Sequence, residues 1–274
     1  MAPRRALLLP VLFLSLSVLP ALVQTGNGDT VYLRPLGRTA ALTAGTFADA
    51  RQVSIRRIAF QVPRAFNFLA QGSTVEDLLM SVSDIYILDA VGAKPRRLID
   101  GKSPAISPDG RRVAFCYRGS NGADEIRIVN INGSGLKTLV RMPGGACFPS
   151  WSPDGKKIAF NGNPAKDRSS EPEILVMDSD GNNLTPVARG TGTASWSPDG
   201  RRLLFCRHPP GKLHISVWVA NADGGRVRHV PNLSVRMPGV AWLPDGKSFT
   251  FTGEDAKHRD VIATIQLVTC NNQL

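Results

Sequence analysis

Glu254 and Asp255 stand close to His258, and carboxylates beside an imidazole are the makings of an acid/base site for hydrolysis or elimination. Adjacent loop residues rarely converge on one substrate atom, and nothing else in the chain completes a mechanism, so no catalytic residue is expected. His208 offers a second imidazole, but two histidines without a placed third ligand do not define a metal site. Asp178-Ser179-Asp180-Gly181-Asn182 superficially resembles a calcium loop. The later Glu that such a loop requires is missing, and the segment reads better as a hairpin turn. Cys116, Cys147, Cys206 and Cys270 are spaced too widely for a zinc pattern. Three disulfide pairings and free thiols all stay open. Neither a metal nor a cofactor is expected.

The stronger signal is binding chemistry. Basic pairs recur at Arg56-Arg57, Arg111-Arg112, Lys156-Lys157 and Arg201-Arg202, with Lys247 alone in the next such place. If the fold gathers these nine cations, their field could recruit an acidic protein or an anionic envelope component. The other reading is that they only solvate tight turns. A second candidate is apolar: Phe66, Phe68 and Leu69 lie in residues 62–82, the longest irregular stretch of the chain. It reads as a docking knob, or as a plug that packs on the fold. Thr74 with Asp77 suggests a short helix there.

The elements that position these residues are set by a repeat. Ser107-Pro108-Asp109-Gly110 returns as Ser152-Pro153-Asp154-Gly155 and Ser197-Pro198-Asp199-Gly200, then degraded as Leu243-Pro244-Asp245-Gly246. The spacings are 45, 45 and 46 residues, and a Phe follows each Gly by five: Phe115, Phe160, Phe205 and Phe251. In each turn Pro presets φ, Asp bonds the local backbone and Gly accepts positive φ. In the copy around Trp151, strands are predicted at 146–151, 157–160, 173–178 and 184–189. An eroded earlier unit runs through Arg56 to Phe60, Ser83 to Asp89 and Arg96 to Leu98.

One such sheet cannot hide both faces, and several stacked around an axis can. The prediction is all-β: a β-propeller of four-stranded blades, five in number, with six or an incomplete ring as alternatives. The last unit stops after a third strand at 261–268, and residues 30–34 or 39–43 could supply the missing outer strand. An open ring could instead pair edge to edge with another copy. The cations would circle one mouth of the channel. The opposite face would carry irregular, mostly polar loops, with Tyr117, Arg118, Lys166, Arg168, Arg207 and His208 among their residues.

Composition frames this. The 274 residues carry 33 Lys+Arg against 22 Asp+Glu, a formal charge of +11. The apolar and charged fractions, 42% and 20%, exclude a disordered or collagenous chain. Arg4 and Arg5 precede an apolar run at 6–23 and a small, polar stretch at 24–28, the pattern of a secretory signal peptide. Residues 1–24 are read as the signal, cleaved between 21 and 26, and 27–274 as one propeller domain. An uncleaved anchor is the alternative; Pro10 and Pro20 break the run. Removing residues 1–24 leaves a charge of +9. The expected address is periplasmic or secreted, with no stable membrane insertion after cleavage. Export argues against nucleic acid, as does the absence of a stacking-aromatic motif beside the basic pairs.

The run Trp151 to Phe160, followed by Ile-Leu-Val-Met-Asp-Ser-Asp-Gly at 174–181, resembles the WD-like repeat of the TolB propeller family. The resemblance covers roughly residues 50–270 and is specific for fold, weak for function. It implies a periplasmic protein that binds protein partners. TolB also carries an α/β domain, for which the stretch between the signal and Arg51 is too short, so only the propeller part is matched and TolB's own partners do not transfer. Related repeats gate some serine peptidases, but no G-x-S-x-G elbow is present here. The expected function is an exported, non-enzymatic binding scaffold. The alternatives are a small hydrolase or lyase working from the polar loops, or a structural module that forms oligomers.

Overall fold

The computed structural model describes residues 21–24, 30–33, 57–63, 83–89, 93–119, 122–165, 171–208, 215–235, 240–254 and 260–266. Every regular element in them is a β-strand. None contains a helix long and apolar enough to cross a membrane. A hairpin of β1 (Ala21–Gln24) and β2 (Thr30–Leu33) comes first. Five antiparallel sheets follow in chain order. The first holds β3 (Ile58–Pro63), β4 (Ser83–Leu88) and β5 (Arg96–Asp100). The second holds β6 (Lys102–Ile106), β7 (Arg112–Arg118), β8 (Asp124–Asn130) and β9 (Lys137–Met142). The third holds β10 (Ala146–Trp151), β11 (Lys157–Gly162), β12 (Glu173–Asp178) and β13 (Thr185–Arg189). The fourth holds β14 (Thr191–Trp196), β15 (Arg202–Arg207), β16 (Ile215–Asn221) and β17 (Arg228–Val235). The fifth holds β18 (Val240–Trp242), β19 (Ser248–Glu254) and β20 (Asp260–Gln266).

Each predicted turn forms, and three form alike. The Ser107 amide donates to the Arg112 carbonyl (2.9 Å) and the Gly110 amide returns to Ser107 (2.8 Å). The Ser107 hydroxyl donates to the Asp109 carboxylate and accepts from the Arg112 amide, while Asp109 also accepts from the Arg111 amide. Ser152 and Ser197 repeat the whole set. The degraded copy has no serine, and Asp245 accepts directly from the Lys247 and Ser248 amides, both at 2.8 Å. Gly110, Gly155, Gly200 and Gly246 all adopt φ between +64° and +69°, where a Cβ would crowd the backbone.

Packing follows from alternation along the second strand of each sheet. In β7, Val113 and Phe115 enter the core shared with the first sheet, beside Ile85 and Ile87, whereas Ala114 faces the third sheet. Phe160 and Phe205 repeat this against the sheets before them. All three phenylalanines are fully buried. Burial of such a ring contributes about 1.5–3 kcal/mol. A small residue at the forward position leaves room for the next sheet's ring. The first strands β6, β10, β14 and β18 pack on one another in turn, and they form the inner side of the arrangement. Trp151 Nε1 donates to the Ala105 carbonyl and Trp196 Nε1 to that of Ser150, so β10 and β14 are each tied to the inner strand before.

The predicted strands 146–151 and 173–178 match β10 and β12. Phe251 is only partly buried, and Phe249, two residues earlier, fills the core between the fourth and fifth sheets. One expectation changed. In the full chain residues 30–33 do not close the fifth sheet: as β2 they pair with β1, which lies within the segment read as the signal. The local hairpin needs only a short connection, while the distant edge would require long-range closure. The alternative closing segment, 39–43, and the suggested helix at 74–77 lie outside the described residues, as does most of the signal segment.

Candidate functional site

The turns between first and second strands form one continuous surface. A Cβ built on Gly155 would lie 3.6 Å from the Pro108 ring, on Gly200 3.7 Å from Pro153, and on Gly246 3.9 Å from Pro198. Each turn therefore rests its glycine against the proline of the turn before. The four turns make a single row, and the basic pairs following them are brought to one face.

The structure divides each pair by task. The first member is exposed at Arg111, Lys156 and Arg201, and the single Lys247 is exposed as well. The second member makes contacts within the fold, although Lys157 stays exposed like the residue before it. Arg57 pairs with Asp89 (2.7 Å) and donates to the Gly110 carbonyl of the next turn (2.7 Å). Arg202 donates to the Gly246 carbonyl (3.3 Å) and stacks over Trp242 at 4.8 Å. Arg112 stacks over Trp151 at 4.9 Å. Lys157 pairs with Asp178 (2.8 Å) and lowers its carboxyl below the usual range. Arg56, Phe66, Phe68 and Leu69 lie outside the described residues.

The turn carboxylates, one beside each outward cation and exposed as well, temper this face. The Ser152 hydroxyl, followed by the Lys156 amide, holds Asp154 below its ordinary range. Burial pulls Asp109 and Asp199 the other way, but the hydroxyls of Ser107 and Ser197 and the neighbouring amides outweigh it. All three carboxylates are tethered close to the backbone. The cationic side chains are longer and carry their charge further out.

The opposite end is irregular. The inner strands β6, β10 and β14 each lose register with the second strand, between Lys102 and Ala105, Cys147 and Ser150, and Thr191 and Ser195. Such bulges re-aim side chains. Ser103 and Phe148 take φ of +49° and +56° within them. Lys102, Cys116 and Cys147 gather at this end, a cluster that the repeat did not reveal because its members come from two different units. The signal that could have found it is the recurrence of Cys one residue beyond the repeated Phe, at Cys116 and Cys206.

The loop residues that suggested chemistry are dispersed or committed. Arg118 pairs with Asp124 (3.4 Å) and Arg207 with Glu171 (3.4 Å). His208 is exposed, and Asp255 and His258 lie outside the described residues. Buried Glu125 has the shape of an acid/base candidate, but Arg127 (2.6 Å), Arg141 (2.7 Å) and Thr138 (3.1 Å) occupy its oxygens. Burial raises its pKa, but Arg141, Arg127 and Thr138 hold the carboxyl below its usual range. Among the described residues no three His, Cys, Asp or Glu side chains gather to hold a metal ion.

Known structures share this architecture. TolB from Acinetobacter baumannii superposes with a TM-score of 0.60 at 19% identity, over 78% of this chain and 51% of that one. A structure assigned to TolB from Agrobacterium tumefaciens gives 0.54 at 19% identity, over 78% and 72%. The β-propeller domain of the trilobed protease from Pyrococcus furiosus gives 0.51 at 14% identity, over 77% and 65%. The chain thus spans about half the length of the Acinetobacter protein. No curated protein matches the sequence. These likenesses establish a propeller fold. The TolB beta propeller domain model matches residues 99–273, more than half of the chain, and the chain belongs to that family.

Proposed function

We propose that the chain is an exported, non-enzymatic propeller that binds an acidic segment of a partner protein on its turn face. The observation that carries this reading is the division of the basic pairs. Arg112 and Arg202 are half-buried and engaged by the fold and Lys157 is exposed but paired with Asp178, whereas Arg111, Lys156, Arg201 and Lys247 extend from a continuous row of turns into solvent. Charges that served only the fold would not need the second, outward set. A row of like charges on a rigid surface steers an oppositely charged partner and fixes its register. The basic n-region and apolar run at 4–23 support export, and the family's fold is compatible with a scaffold. An anionic envelope polymer is the other ligand that such a face could take.

The test is a capture experiment from envelope extract with the intact protein and a variant carrying Arg111→Glu, Lys156→Glu, Arg201→Glu and Lys247→Glu. These four changes leave Arg112, Lys157 and Arg202 in place, so circular dichroism should be unchanged. A partner protein, identified by mass spectrometry, should be retained by the intact chain, lost from the variant, and released as salt screening rises. Retention by both forms, or release that ignores salt, would overturn the assignment. Capture of polymer in place of protein would keep the face and change the ligand.

A further inference from the structure

Two cysteines from adjacent sheets meet at the end opposite the turns. Cys116 lies two residues beyond Ala114 on β7, so it faces the third sheet as Ala114 does. Its thiol donates to the Ala146 carbonyl at 2.9 Å, and the residue after Ala146 is Cys147. The neighbouring thiols bear on each other's titration, and Cys147 Sγ lies 3.5 Å from Ser103 Oγ. Lys102 pairs with Cys116 in register and is only 5% exposed, so its charge acts on both sulfurs from a site largely out of water. The positive φ at Ser103 and Phe148 belongs to the bulges that bring β6 and β10 together here. Backbone held in that region costs about 1–3 kcal/mol per residue and is found at sites with a task.

We propose that Cys116 and Cys147 are a redox-active dithiol, which a small external disulfide converts into a disulfide linking the second and third sheets. Cys147 is the attacking group. As a residue it is half-buried, while Cys116 is buried. The neighbouring Cys116 thiol, opposed by burial and aided by Ser103 and Lys102, brings the Cys147 thiol down to about 7. The same contact and burial push Cys116 up. A thiol that titrates near ambient pH is the most effective nucleophile in exchange. The Cys147 thiolate attacks one sulfur of the external disulfide, forms a mixed disulfide and releases one thiolate, which takes up a proton. Cys116 then loses its proton, attacks the Cys147 sulfur and expels the second thiolate, which is protonated in turn. Two protein thiols are oxidised and one external disulfide is reduced to two thiols.

Cys206 is the internal control. It occupies the position of Cys116 two sheets further on, after Phe205 on β15, but burial alone pushes its thiol up to about 12. It should stay unreactive.

The reduced full-length chain is incubated with oxidised glutathione, alkylated and mapped by peptide mass spectrometry. The expected product is a peptide pair joined through Cys116 and Cys147, lighter by the two thiol hydrogens. Cys116→Ser should stop at one glutathione on Cys147, and Cys147→Ser should leave Cys116 free. In the unmodified chain, iodoacetamide should label Cys147 with a pH midpoint of about 7, moved upward by Lys102→Met. Alkylation of both cysteines after glutathione treatment of the natural sequence would overturn the proposal. So would a cross-link that used Cys206 or Cys270. Mapping the natural sequence decides the matter even if a buried serine prevents a variant from folding.

Discussion

At the turn end, three copies of Ser-Pro-Asp-Gly close on the same hydrogen bonds, and the second and third rest their glycines against the proline of the copy before. At the opposite end, the connections differ from sheet to sheet. The bulges of β6 and β10 resume pairing three residues on, and that of β14 four residues on. Gly101 and Gly190 pass over the rings of Phe115 and Phe205, and the Gly144 amide reaches across to the Asn163 carbonyl at 3.1 Å. The contrast has a physical origin. Turns that pack directly on their neighbours must keep one shape, because a change in one would disturb the next. The opposite end repeats less fully: the approach of Gly101 to Phe115 recurs only two sheets on, at Gly190 and Phe205, so its sequence is freer to vary and can accumulate a cluster such as Lys102, Cys116 and Cys147.

The largest test of this contrast is one substitution made at both ends. A Cβ at Gly144 would strike the Ala165 carbonyl oxygen and lie 2.7 Å from that of Asn163. Both are backbone atoms and cannot swing away. Gly144→Ala should cost about 3 kcal/mol, the upper part of the overpacking range. At Gly155 the nearest atom would be 3.6 Å away, and only the φ of +69° opposes a side chain. Gly155→Ala should cost about 1 kcal/mol, the strain of one left-handed residue. Urea unfolding of the two variants checks this. Equal losses would mean that both ends are held in the same way.

Ser152→Ala breaks the regular end from within. The hydroxyl is buried, accepts from the Lys157 amide and donates to Asp154. Its removal strands an amide and a carboxylate contact, worth about 2 kcal/mol. The turn carboxylates add a pH signature. Asp109, Asp154 and Asp199 titrate lower in the folded chain than their ordinary value of 3.8. The stability that they contribute is therefore complete above pH ~4 and is lost as pH falls through the lowered folded values. Thermal midpoints followed from neutral pH downward should show an acid limb that is shallower in Asp154→Asn and in Ser152→Ala. An unchanged limb would remove the turn aspartates from the account.

Much of the regular end was legible because one tetrapeptide states it completely. Pro, Asp and Gly each have a single local role, and the 45-residue spacing sets where the strands must lie. β10 and β12 fall where the repeat put them. The irregular end was not legible. Ser103 and Phe148 adopt positive φ without the glycine or asparagine that normally announces it, since packing of the inner strands imposes the bulge. Cys116 and Cys147 are 31 residues apart in different units, and only the forward direction of Cys116 on β7 brings them together. The basic pairs sit between these cases. Their positions were legible, but the division within each pair depends on what the adjacent sheet presents. Trp151 receives Arg112 and Trp242 receives Arg202. The second sheet has Ile106 at that place, and Arg57 turns to Asp89 and the Gly110 carbonyl.

That division gives the smallest and most discriminating prediction. Arg201 and Arg202 are adjacent, have the same charge and follow the same turn. Arg202 stacks over Trp242 and donates to the next turn, so Arg202→Ala should cost about 0.5–1 kcal/mol. Arg201 is exposed, and Arg201→Ala should stay within about 0.5 kcal/mol of the parent. Binding should show the reverse order. Loss of Arg201 should weaken capture of an acidic partner and flatten its salt dependence, whereas loss of Arg202, already shared with the fold, should change both less. Paired denaturation and binding measurements on the two variants check both halves. If Arg202 proved to be the stronger contributor to both, the outward row would not be a separate binding surface, and the basic pairs would serve the fold alone.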